Sequence, residues 1–66
     1  MPQLLSPREH EILALIAEGR TDKEISVLLG MAKGTLKSHL ASIFRKLDVH
    51  SRASAIAKWL VHAVDG

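Results

Sequence analysis

Between Glu24 and Asp48 the chain carries no acidic residue, while Lys33, Lys37, Arg45 and Lys46 all fall inside that window. Read at about 100° per residue, the stretch MAKGTLKSHLASIFRKLDV (residues 31–49) puts Leu36, Leu40, Ile43, Phe44 and Leu47 on one stripe that faces a core. The opposite side carries Gly34, Ser38, Ala41, Ser42 and Arg45, flanked by Lys37 and Lys46. A solvated helix face is ordinarily filled with long Glu, Lys, Gln and Arg, which favour helix. This one is small and basic. Small side chains let a helix backbone approach another surface closely, and the missing carboxylates remove repulsion from a polyanion. Duplex DNA presents one negative charge per about 1.7 Å of its axis and a groove lined with donors and acceptors. It is the polyanion this face suits.

Charge along the chain points the same way. Residues 1–24 hold five acids against three bases, and the remainder sums to +4 within a net charge of +2. Other chemistries find little support. His10, His39, His50 and His62 lie on different expected elements without the short spacing of a metal site, and there is no cysteine to supply thiolates or disulfides. Serine, histidine and acids occur without a glycine-rich loop, a nucleophile elbow or paired carboxylates, so no enzyme, cofactor or metal is expected. The longest apolar run is far short of the roughly 18 residues of a membrane span. With no basic n-region or apolar h-region after Met1-Pro2, a cytoplasmic location is expected.

The elements that must position this face are legible from their punctuation. Ser6-Pro7-Arg8-Glu9 has an N-cap serine, a proline at the first helical position and a glutamate three residues after the cap, which is a capping box. Ile12, Leu13, Leu15, Ile16 and Ala17 continue the helical period to Gly19, predicting a first helix over about 7–18. Thr21-Asp22-Lys23-Glu24 repeats the capping pattern, and Ile25, Leu28 and Leu29 precede Gly30, predicting a short second helix over about 22–29. A turn of about three residues leads to a third helix over about 33–47. Ser51 then offers an N-cap for a fourth over about 52–64, whose apolar stripe includes Ile56, Ala57, Leu60, Val61 and Val64. Two helices joined by a glycine turn, the second with a small basic face, match the helix-turn-helix layout that seats its second helix in the major groove.

The segments LSPREHEIL, AEGRTDKEISVLLGM, GTLKSHLASIFRKLDV and SRASAIA together resemble the LuxR-type (GerE/FixJ-like) DNA-binding domain of bacterial transcription regulators, including response regulators. The resemblance covers Leu5 to about Leu60. It implies that residues 1–66 form one all-α domain of four helices, a winged-helix-like arrangement without a wing, in which the third helix reads DNA and the fourth is the dimer contact. By the same resemblance, base-reading positions match Lys37, Ser38 and Ala41, and phosphate contacts match Lys23, Thr35, Lys46 and Arg52. Lys33, His39 and Arg45 join the phosphate candidates from their place on the basic helix, although His39, at the edge of the apolar stripe, is equally a packing residue. Ile56, Leu60, Val61 and Val64 are the candidate dimer residues. Three positions depart from the family pattern. Ala32 stands where a capping Ser or Thr is usual, Gly34 sits in the first turn of the reader, and Ala41 replaces a long polar residue, leaving only a methyl to offer a base.

The expected function is sequence-specific double-stranded DNA binding for transcription regulation, as a homodimer on DNA, with RNA polymerase as a further candidate partner and no membrane. Two alternatives stand beside it. A fourth-region domain of a sigma factor shares the helix-turn-helix, although SPRE and KLDVHSR favour the LuxR type. A protein-interaction module would instead dock the third or fourth helix onto another regulator. Trp59 is either an anchor for a partner or the residue that closes one end of the core.

Overall fold

The first, second and fourth helices begin where a hydroxyl side chain can satisfy one of the first free backbone N–H groups. In the computed structural model, which describes residues 4–65 and the side chains of residues 4–61, the order is α1 (Pro7–Ala17), α2 (Asp22–Leu29), α3 (Lys33–Leu47) and α4 (Arg52–Asp65). Both predicted capping boxes are present. Ser6 Oγ accepts from the Glu9 N–H at 3.2 Å while Glu9 Oε1 accepts from the Ser6 N–H at 2.7 Å. Thr21 and Glu24 repeat the pair at 3.1 and 2.9 Å. At α4 the Ser51 hydroxyl accepts from the Ser54 N–H at 3.1 Å.

α2 and α3 stop by left-handed turns. Gly30 sits at φ 64°, and the Met31 N–H donates to the Ser26 carbonyl at 3.0 Å, closing the turn between α2 and α3. Asp48 takes the same role after α3 at φ 56°, a conformation that an aspartate tolerates better than most side chains. The Lys58 ammonium donates to the Leu47 carbonyl at 2.7 Å, so α4 supplies a cation to the negative end of α3.

Ile12, Leu13 and Ile16 from α1, Ile25 from α2, Leu36, Leu40, Ile43 and Leu47 from α3, and Ala55 from α4 form the core. Every other part of the architecture leans on α3, which touches all three partners. Ile56 and Trp59 pack against this core from the side, and Trp59 Nε1 donates to His10 Nδ1 at 2.9 Å, joining α4 to α1. Trp59 therefore closes the core at the α1–α4 contact.

On α2, Leu28 is 56% exposed and Val27 is 74% exposed. The inward face is Asp22, Ile25, Ser26 and Leu29, the i, i+3, i+4, i+7 set, centred on the fully buried Ile25, with Asp22 at its edge paired to Arg52. A two-turn helix has room for one such face only. Among the described residues no helix is long and apolar enough to cross a membrane.

Candidate nucleic-acid interface

The N-terminal half of α3 buries Leu36 and Leu40 in the core and turns its other side to solvent. Lys33, Gly34, Thr35, Lys37, Ser38 and Ala41 are all exposed, as is Arg45 about one turn beyond Ala41, so the structure brings the three base-reading candidates onto one solvent-facing side. Ala32 adopts the extended N-cap conformation but gives no side-chain hydrogen bond, and the first turn holds no acid. The unsatisfied N–H groups and the positive end of the helix dipole there remain unscreened by the protein. At Gly34 an added Cβ would meet nothing within 4 Å. Internal packing thus gives no reason for glycine at this point. Ser38 uses its hydroxyl proton on the Gly34 carbonyl at 3.1 Å, which leaves its oxygen facing outward as an acceptor.

The phosphate candidates separate into groups. Among the described residues Lys23, Lys33, Lys37 and Arg45 make no ion pair and keep exposed heads; of these Lys37 is the base-reading candidate. Thr35 is exposed beside Lys33, and His39 is half-buried. Arg52 is occupied, its Nη2 lying 2.7 Å from Asp22 Oδ1 and 2.8 Å from Asp22 Oδ2. Lys46, expected on phosphate, faces the protein instead. Its ammonium turns inward to Glu9 Oε1 at 2.8 Å, with the Lys46 side chain 22% and the Glu9 side chain 4% exposed.

Sequence reasoning assigns Glu9 to capping alone and misses this second contact. Its place at i−3 and i−4 from Ile12 and Leu13 is a signal that the third residue of α1 also points into the core. Burial alone would push its carboxyl up. The hydrogen bonds from Lys46, from the Ser6 N–H and from Ser42, together with the Lys46 charge, outweigh that and hold it at about 2, below its ordinary 4.5.

Of the dimer candidates, Leu60 and Val61 are 48% and 59% exposed, whereas Ile56 is half-buried against the core; the Val64 side chain lies outside the described residues. Among the described residues no cluster of His, Asp or Glu could hold a metal ion.

A short α2, a glycine turn and an α3 with an open basic face define a helix-turn-helix of the bacterial regulator class. Residues 3–59 match the family described as bacterial regulatory proteins, luxR family, and the chain belongs to it. This decides between the two helix-turn-helix readings against the sigma-factor alternative, and the family is one of bacterial regulatory proteins. It is 51% identical over 57 residues to the transcriptional activator protein CarR of Pectobacterium carotovorum subsp. carotovorum, covering 86% of this chain and 23% of that one. It is 51% identical over 51 residues to the transcriptional regulatory protein LiaR of Bacillus subtilis (strain 168), covering 77% and 24%. The crystal structure of response regulator ChrA, from a heme-sensing two-component system, superposes with a TM-score of 0.88 at 34% identity over 92% of this chain and 30% of that one. The chain spans about a quarter of the length of the curated relatives it matches.

Proposed function

We propose that this chain is a sequence-specific double-stranded DNA-binding module of a cytoplasmic transcription regulator, with α3 lying in the major groove. The observation that supports it most is the exposed side of α3, which is bare of acid from Lys33 to Leu47 and, apart from Lys37, small from Gly34 to Ala41. Lys37 is the long donor on its early turns and is assigned to a guanine O6/N7 edge, with Ser38 and the Ala41 methyl reading neighbouring positions. Lys23, Lys33, Thr35, His39 and Arg45 are assigned to phosphates, which fix position without carrying sequence information. Leu60 and Val61 are assigned to a homodimer contact that forms on DNA, because two residues offer far less than the roughly 1,200 Å² that a stable interface buries.

Selection of bound sites from random duplexes tests the whole reading. An inverted repeat with half-sites about one helical turn apart is the expected product. Recovery of a single half-site would remove the dimer, and recovery of no preferred sequence would remove specific binding.

Exposed Val27 and Leu28 on α2 favour a protein contact in addition to DNA, assigned to RNA polymerase. Replacing both by serine is expected to leave duplex affinity unchanged and to lower transcription from a bound promoter. Unchanged transcription would exclude this surface.

A further inference from the structure

Glu9 is the buried charged residue among the described residues, and its partner lies 37 positions away on the helix assigned to the groove. We infer that Glu9 is a positioning residue that keeps Lys46 out of the DNA footprint, so that the last turn of α3 meets the duplex with one cation fewer than its sequence carries. The inference rests on the DNA-binding reading above.

Four features support it. The pair is largely removed from water, where opposite charges attract far more strongly than at a surface. Moving the Lys46 ammonium to a phosphate would leave a buried carboxylate uncompensated, which costs more than one solvent-screened phosphate contact returns. The carboxylate also cannot follow the lysine outward, because the same Oε1 accepts the Ser6 N–H at 2.7 Å and belongs to the cap of α1. Finally, the contrast with the other α3 cations is sharp: Lys33, Lys37 and Arg45 are exposed and, among the described residues, make no ion pair.

Such an arrangement has a use for a sequence reader. Each cation placed on phosphate adds affinity for all sequences alike, through release of condensed counterions. Tying Lys46 to Glu9 anchors α3 against α1 while leaving non-specific affinity lower, and the groove-facing residues are untouched.

The test is the salt dependence of binding to a non-specific duplex by the wild-type chain, E9Q and the double variant E9Q/K46M. The side-chain amide introduced by E9Q retains an oxygen for the Ser6 N–H, and the double variant leaves no buried charge unpaired. With Lys23, Lys33, Lys37 and Arg45 engaged, log K should fall with log salt at a slope of about −3.6 per protomer. E9Q, which frees Lys46, should steepen that slope by about 0.9 and bind non-specific duplex more tightly, whereas E9Q/K46M should keep the wild-type slope. A purely structural pair would move stability and leave all three slopes alike. That result, or a double variant shallower than wild type by about 0.9, overturns the inference while DNA binding stands. A wild-type slope near zero overturns the DNA-binding reading itself.

A second measurement uses the unaltered chain. Amine acetylation mapped by mass spectrometry should find Lys33 and Lys37 reactive when free and protected by duplex, and Lys46 slow in both states. Protection of a reactive Lys46 by DNA would overturn the inference.

Discussion

The two ends of α3 are built to opposite specifications. At its C-terminal end Lys46 is locked to Glu9, Lys58 donates to the Leu47 carbonyl, and Asp48 closes the helix with a left-handed turn. At its N-terminal end Ala32 gives no cap, Gly34 fills no space, and the side chains other than the core Leu36 face solvent. The buried stripe from Leu36 to Leu47 holds the helix along its length, but the polar contacts that fix it are concentrated where it meets α1 and α4. The exposed side of its first turns spends none of its polar groups on other helices.

The largest effect that could break this contrast is at the locked end. Lys46→Met alone leaves the Glu9 carboxylate buried without its counter-charge and is expected to cost about 3 kcal/mol of unfolding free energy, measured by urea denaturation. A loss below about 1 kcal/mol would show that the pair is dispensable and the two ends are not so different.

The same lock predicts an acid response. Glu9 is held at about 2 in the folded chain against 4.5 as its ordinary value, so its contribution is complete above about pH 4.5. It is lost as pH falls from there towards 2, amounting to about 3 kcal/mol. Thermal unfolding followed between pH 6 and pH 2.5 should show the decline, and Glu9→Gln should flatten it. A wild-type curve that runs parallel to the variant would place the lost stability in other carboxylates.

At the open end the expected effects are on binding. Lys37→Ala should lower affinity for the selected site and flatten preference at one base pair per half-site, by about 1 to 3 kcal/mol of discrimination. Measured against single-base changes at one fixed salt concentration, an equal loss on every sequence would demote Lys37 to a phosphate contact.

The smallest effects sharpen the comparison most. Ala32→Ser should add about 1 kcal/mol of stability by supplying the missing cap, and Gly34→Ala should add up to about 1 kcal/mol, since its Cβ has open space. If the open end exists for DNA, Gly34→Ala should also weaken duplex binding, because the added methyl stands where the backbone would approach the groove. Stability gained with no loss of affinity would mean the glycine has no such use.

Helix bounds are readable from the chain because the signals are local. Ser6, Thr21 and Ser51 each cap within three residues, Gly30 stops α2 where its φ requires, and the α3 stripe of Leu36, Leu40, Ile43 and Leu47 is the one found buried. The basic, acid-free face of α3 is equally local, since one helix period fixes which residues share a side. What residue order could not supply is pairing across the fold. Glu9 and Lys46, Asp22 and Arg52, and His10 and Trp59 meet from 37, 30 and 49 positions apart. Whether a lysine faces solvent or a buried carboxylate depends on how α1 crosses α3. Leu28 shows the same limit, since α2 turns Ile25 and Leu29 inward and leaves Leu28 56% exposed, a choice set by how α2 lies against the other helices. Periodicity within a helix is set by its covalent geometry, but the rotation of that helix about its axis is set by everything packed against it.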